Sequence, residues 1–201
     1  TNIAPAHLEG FGSIETIAYE KGALFRSLDK GISFVNKADE LVSKIQFSGK
    51  RITYGLSPDC DFPVDICHED DGSLTLVLDS NVIPTSSHNL SFIKNCVAVS
   101  AISISLGVEL QDLTSRIKSF SAPEGRCFVK QVKDITIIDD TYNANLTSVL
   151  AALNYLKALS SEGRCVFVFG DMYELGDESI SQHRNVGKKC NELELDQVYT
   201  V

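Results

Sequence analysis

Residues Ile137 to Asn145 read IIDDTYNAN, an apolar run that ends in two carboxylates, a tyrosine and two amides. A second apolar run, Cys165 to Phe169, leads into Gly170-Asp171-Met172. Polar side chains just past the carboxyl ends of strands are how open α/β sheets build ligand sites. From Asp139 to Asn145 every side chain except that of Ala144 can form hydrogen bonds. A helix cap needs one or two of them, so the run points to binding. Elsewhere the polar signals are thinner. His7-Leu8-Glu9-Gly10-Phe11-Gly12 could ligate a metal or touch a phosphate, but alone it reads equally as a polar loop. Lys21 on its own reads as a solvated lysine, and His183 as a packed or surface histidine. Ser86-Ser87-His88-Asn89 precedes a long helical pattern, and either Ser87 or Asn89 could cap it. The same helix start could hold an anion or a nucleotide edge. No GxxxxGK[ST] occurs in these 201 residues, so the chain carries no phosphate cradle of that kind.

The elements that would position these groups follow from composition and periodicity. A hydrophobic content of 43% in 201 residues supports one large or two small domains with real cores. The net charge of −9 is spread along the chain, −5 over residues 1–121 (10 basic, 15 acidic) and −4 over 122–201 (8 basic, 12 acidic). With no basic face, nucleic acid is not an expected partner. The six cysteines form no CxxC, and several sit in apolar runs, which predicts reduced, buried thiols in a cytoplasmic protein. No apolar stretch reaches membrane-spanning length, so neither membrane insertion nor a signal peptide is expected. Thr1 is not methionine, Asn2-Ile3 reads as the end of a strand, and Val201 stops in a strand-like run. The expectation is a segment of a longer protein.

Helices are predicted over Ser13–Leu28, Ala38–Gln46, Asn89–Leu106, Leu110–Phe120, Leu146–Leu159 and Ser179–Leu193. Strands are predicted over Ile32–Val35, Arg51–Gly55, Cys165–Phe169 and Val198–Val201. Two hairpins are expected. One joins Asp61–Cys67 to Ser73–Leu78, and the other joins Cys127–Val132 to Ile135–Ile138 through Lys133-Asp134. Ser121-Ala-Pro-Glu-Gly125 marks a domain boundary. After it, strand and helix alternate, which predicts an α/β fold with a parallel sheet.

The chain resembles the Mur ligases. The resemblance rests on TNIAPAHLEGFGS (1–13), EKGALF (20–25), VNKAD (35–39), HN (88–89), GR (125–126), IDDTYNAN (138–145) and GDMYELG (170–176), in the family's order. It implies an α/β fold in which 1–121 is the later part of the central, P-loop-type ATPase domain. Residues 122–201 would then be most of a Rossmann-like C-terminal domain. The UDP-substrate domain and the P-loop segment would lie outside these residues. The implied activity is ATP-dependent amide formation in peptidoglycan synthesis. The branch suggested by DDTYNAN with GDMYELG adds D-alanyl-D-alanine to the UDP-N-acetylmuramoyl tripeptide through an acyl phosphate. The implied cofactors are ATP and Mg2+. In these roles His7 ligates magnesium, joined by Lys21 if it is carbamylated, because a carbamate turns a cation into an anion. Asn36, His88 and Asn89 contact adenine or ribose, and Arg126 reaches the ATP phosphates as the C-terminal domain closes. Asp140 holds the nucleotide, while Tyr142, Asn143 and Asn145 shape the nucleotide and dipeptide pocket. Two alternatives remain. One is a Mur-type ligase with another amine acceptor. The other is a non-enzymatic binding module, favoured by the missing P-loop, and in either case the segment alone is expected to be inactive.

Overall fold

A computed structural model describes residues 2–5, 8–160 and 163–201. The chain divides into two compact units, Thr1–Ala4 with Ser13–Phe120, and Pro5–Gly12 with Ser121–Val201.

In the first unit, helix α2 (Ile14–Arg26) starts where Ser13 accepts a hydrogen bond from Thr16 N, and it buries Ile17. Strands β1 (Ile32–Asn36), β2 (Lys50–Gly55) and β3 (Phe62–Pro63) form a parallel sheet in that order, with Ile32 opposite Lys50 and Asn36 opposite Tyr54. The crossover between β1 and β2 holds one helical turn, α3 (Glu40–Ser43), rather than the longer helix predicted over Ala38–Gln46. Asp39 fixes it by accepting from Val42 N and from Ile3 N, both at 2.8 Å.

An antiparallel sheet follows, with β5 (Leu74–Leu78) between β4 (Asp65–His68) and β6 (Asn81–Ser87). The predicted Asp61–Cys67 strand is therefore two strands, because Phe62–Pro63 joins the parallel sheet and Asp65 begins the hairpin. Strand β6 has no counterpart in the sequence reading. It contains Pro84, which cannot donate to a ladder, and it is tolerated because β6 lies at the sheet's edge. Helix α4 (Leu90–Ser105) and helix α5 (Leu110–Ser119) close the core. Leu76, Ile83 and Ile93 are fully buried there, together with Leu74, Val97 and Leu113. Each such side chain contributes about 1.5–3 kcal/mol by leaving water.

In the second unit, β7 (Phe128–Val132) and β8 (Ile135–Asp139) form the expected hairpin, with Lys133 at φ 53° in the turn. Strands β9 (Val166–Phe169) and β10 (Gln197–Thr200) are parallel and in register from Val166 opposite Gln197. Helix α6 (Leu146–Leu159) and helix α7 (Ser179–Glu192) pack with Phe167 and Phe169 around Val149, Leu153, Val186 and Cys190. A short turn, α1 (Leu8–Phe11), joins this unit through Glu9 N, which donates to the Glu174 carbonyl at 3.2 Å. Parallel strand pairs occur in both units, and the fold is α/β. Among the described residues no helix is long and apolar enough to cross a membrane. Among the described residues no disulfide forms; Cys60, Cys96, Cys165 and Cys190 are buried, whereas Cys67 is exposed.

Candidate functional site

The second unit gathers Arg126, Asp140 and Tyr142 into one cluster. Hairpin register explains it. Phe128 faces Asp139 in the last pair of the ladder, so continuing the same pairing sets Cys127 against Asp140 and Gly125 against Tyr142. The hydrogen bonds follow that continuation. Cys127 N donates to Asp140 Oδ1 at 2.9 Å, and Tyr142 N donates to the Gly125 carbonyl at 3.0 Å. Gly125 has φ 77°, and a Cβ there would come within 3.3 Å of Tyr142 Cβ and N, so glycine is required for the approach. Arg126 Cζ then lies 3.8 Å from the centroid of the Tyr142 ring, a cation–π contact. No motif in the sequence marks this contact, although the predicted hairpin with its turn at Lys133-Asp134 carries the signal.

The remaining polar residues of this loop have local partners. Thr141 Oγ1 donates to Asp139 Oδ1 at 2.7 Å, and that bond chiefly holds the Asp139 carboxyl below the usual carboxylate range. Asn143 Oδ1 accepts from Ala144 N at 2.9 Å. Asn145 is the N-cap of α6 in a capping box. Its Oδ1 accepts from Ser148 N at 3.0 Å, and Ser148 Oγ accepts from Asn145 N at 3.1 Å. Turn and cap chemistry thus accounts for more of this polar run than the one or two residues expected.

The GDMYELG loop follows β9. Met172 and Leu175 are buried and anchor it in the core, while Asp171, Tyr173 and Glu174 face out. His183 of α7 braces the loop. Its Nε2 lies 2.8 Å from Asp171 Oδ1 and 3.3 Å from Met172 N, and its Nδ1 lies 2.8 Å from the Ser179 carbonyl. The histidine read as merely packed or surface is therefore the partner of the loop's aspartate. No spacing rule marks that pair, because the 3-10 turn Gly176–Glu178 intervenes.

In the first unit Lys21, Asn36 and the adjacent pair His88-Asn89 stand on three different elements, each with its own hydrogen-bond partner. Lys21 Nζ, on α2, donates to the Asn2 carbonyl at 3.4 Å. Asn36 closes β1 and accepts from Ala38 N at 3.1 Å. His88 Nε2 lies 3.0 Å from the Asp71 carbonyl in the β4–β5 hairpin. Asn89 caps α4 by accepting from Ser91 N and Phe92 N, which settles the choice between Ser87 and Asn89 as cap. Past the ends of β1 and β2, Lys37 Nζ pairs with Asp59 Oδ2 at 2.5 Å, and Asp61 Oδ2 accepts from Thr53 N at 2.8 Å. Hydrogen bonds from Lys37 and then Ser57 lower the Asp59 carboxyl, and the Thr53 hydroxyl chiefly lowers that of Asp61. His7 lies outside the described residues. Lys21 presents an ammonium donor to a carbonyl, chemistry that does not fit a magnesium ligand as it stands. Among the described residues no three His, Cys, Asp or Glu side chains converge on a metal-sized site.

Comparison with known proteins extends this geometry. Residues 1–102 match the Mur ligase middle domain, and residues 125–201 match the Mur ligase, glutamate ligase domain. The chain is 35% identical to the UDP-N-acetylmuramoyl-tripeptide–D-alanyl-D-alanine ligase of Haemophilus influenzae, over 98% of this chain and 44% of that one. It is 32% identical to the ligase of the same name from Escherichia coli, over 100% of this chain and 46% of that one. Among solved structures, MurF from Acinetobacter baumannii superposes with a TM-score of 0.85 at 29% identity, covering 99% of this chain and 45% of that one. MurF ligase from Thermotoga maritima in complex with ADP superposes with a TM-score of 0.81 at 27% identity, covering 99% and 47%. The chain therefore spans a little under half the length of the relatives it matches.

Proposed function

The chain belongs to the Mur ligase family, and from that premise we propose that it is part of an ATP-dependent ligase of peptidoglycan synthesis that adds D-alanyl-D-alanine to the UDP-N-acetylmuramoyl tripeptide. In this reading residues 1–121 are the later part of the central ATPase domain, and 122–201 belong to the Rossmann-like C-terminal domain of a cytoplasmic enzyme. The observation that carries the reading is the mouth of the β7–β8 hairpin, where a cation just before β7 meets a carboxylate and two amides just after β8 on interlocked turns. Relatives named for this ligation match along nearly the whole chain, which supports the assignment of substrates. The ADP complex of the Thermotoga maritima neighbour supports ATP as the nucleotide.

The chemistry proceeds by two displacements. A carboxylate oxygen of the tripeptide takes the γ-phosphoryl group of ATP, and ADP leaves. The amine of the dipeptide then attacks the acyl carbon, phosphate leaves with the C–O bonding pair, and the proton the nitrogen gives up balances the charge on the departing phosphate. Arg126 offers planar N–H donors to the phosphates. Asp140 keeps Oδ1 on the Cys127 amide and offers Oδ2 to a ribose hydroxyl. The loop bearing Tyr142, Asn143 and Asn145 shapes the pocket for the nucleotide and dipeptide, and orienting the amine there supplies the proximity term. Asn36, His88 and Asn89 are assigned to the adenosine side. His7, and Lys21 only as its carbamate, are assigned to magnesium, and no step is derived through the ion.

The test is an acceptor panel on the full-length ligase that carries this segment. ADP release should depend on ATP, the tripeptide and D-alanyl-D-alanine together. Equal use of D-alanyl-D-lactate or of single amino acids would refute the dipeptide assignment. Because these residues contain no GxxxxGK[ST], the purified chain alone should release no phosphate above background. Release above background would overturn that expectation.

A further inference from the structure

We propose that Tyr142 is a positioning residue. Its ring carries the Arg126 guanidinium, and the turn that presents Arg126 is fixed by Asp140. This rests on the reading of Arg126 as a phosphate contact. Arg126 is solvent-exposed and Tyr142 is 68% exposed, so burial holds neither side chain in place. A free arginine at such a position samples many rotamers, and binding an anion would have to freeze them. Here the guanidinium is already parked 3.8 Å above an aromatic face. Stacking uses the face of the cation and leaves its in-plane N–H donors for an anion.

The backbone around the pair is fastened on both sides. Tyr142 N donates to the Gly125 carbonyl at 3.0 Å, just before Arg126, and Cys127 N donates to Asp140 Oδ1 at 2.9 Å, just after it. Arg126 N itself donates to the Pro123 carbonyl at 3.2 Å. Cys127, at φ 53°, and Gly125, at φ 77°, give this turn a shape that an ordinary loop would not hold without those bonds. The ring and the staple together present one arginine in one place. The ligand class suited to it is a nucleoside polyphosphate or the acyl phosphate made from it. The Asp140 carboxylate has a structural duty whatever else it touches, and at the phosphates the Tyr142 ring acts through Arg126, while its loop shapes the pocket wall.

The experiment uses the full-length ligase and four variants, Tyr142→Phe, Tyr142→Leu, Arg126→Ala and the double variant Tyr142→Leu/Arg126→Ala. The readouts are kcat and the KM for ATP, with the Nε–H resonance of Arg126 in arginine-labelled protein. Loss of the ring should raise the KM for ATP about two- to fivefold, the scale of an exposed cation–π pair, with kcat little changed. Tyr142→Phe keeps the ring and should rescue the KM. The double variant should be no worse than Arg126→Ala alone, because the two side chains act as a unit. The Arg126 resonance should carry a ring-current shift in the wild type and in Tyr142→Phe, and lose it in Tyr142→Leu. Additive losses, a phenylalanine variant as impaired as the leucine variant, or a resonance insensitive to the ring would each overturn the positioning role. If Arg126→Ala leaves the KM for ATP unchanged, the reading of Arg126 as a phosphate contact fails instead, and the role of Tyr142 falls with it.

Discussion

The two units handle their polar residues differently. In the first, Lys21, Asn36 and the adjacent pair His88-Asn89 stand on three different elements, each bonded to partners of its own. In the second, Arg126, Asp140 and Tyr142 lock onto one another across the mouth of a single hairpin. The cores differ in the same sense. The first unit buries Leu76, Ile83 and Ile93 completely, in the core closed by α4 and α5. The second surrounds Leu153 with half-buried Phe167 and Phe169, and Val168 on the other face of β9 is 64% exposed. One unit gets its order from core packing, whereas the other gets much of its order from hydrogen-bonded turns that also carry the candidate site.

The largest effect that would break this comparison is in the cores. Large-to-small substitutions cost the transfer term plus a cavity term that depends on how far the surroundings relax. Ile93→Ala should cost about 4 kcal/mol, because its fully buried neighbours cannot close the hole. Leu153→Ala should cost nearer 2–3 kcal/mol, because partly exposed aromatic rings can shift into the space. Urea denaturation, with hydrogen exchange read at amides of each unit, measures both. Equal costs would mean that the second core is as rigid as the first.

What was legible in the sequence divides along the same line. Caps announced two of the helices. Ser13 starts α2 as expected and Asn89, one of two candidates, starts α4, while α6 begins at the expected Leu146 with Asn145 as a cap that the sequence did not single out. The hairpin at Lys133-Asp134 was legible, and with it the register that sets Gly125 against Tyr142. Strand β6 was not legible, because Pro84 argues against a strand unless it lies at an edge, and edge position belongs to the tertiary fold. The helix expected over Ala38–Gln46 shrank to one turn, Glu40–Ser43. The pairing of His183 with Asp171 was also out of reach, because it depends on how α7 packs back on the loop after β9. Of the candidate site, the residue types and their order were readable in advance, whereas their partners were not.

A smaller effect separates capping from binding at Asn145. Asn145→Ala should cost about 1 kcal/mol of stability, as should Asn89→Ala in the first unit. Serine caps nearly as well as asparagine, so Asn145→Ser should stay within about 0.5 kcal/mol of wild type. If the Asn145 amide also touches substrate, the serine variant will keep its thermal midpoint yet raise the KM for the dipeptide or for ATP in the full-length ligase. Asn89→Ser makes the matching comparison on the adenosine side. A serine variant at either position with unchanged KM would leave that asparagine as a cap alone, and would remove it from the proposed site.

The smallest effect is the acid response. Hydrogen bonds lower the folded-state pKa of Asp59, Asp61 and Asp71 in the first unit, and of Asp139 in the second. A depressed folded pKa means that the folded state binds fewer protons than the unfolded one, so the contribution is complete above the unfolded value. It is then lost as pH falls through the folded one. With unfolded aspartate near pH ~3.9, both units should be flat above about pH 5 and should weaken below about pH 4. Asp59, Asp61 and Asp71 are exposed to water and Asp139 is partly buried; each bond is local and contributes little, and salt should shrink the effect. The first unit holds more of them and should show the steeper acid limb in amide protection. Asp61→Asn, which loses the charge that accepts from both Thr53 N and Thr53 Oγ1, should flatten that limb while leaving the second unit's profile in place. Identical acid limbs in the two units, or no response to Asp61→Asn, would show that these exposed bonds do not distinguish one unit from the other.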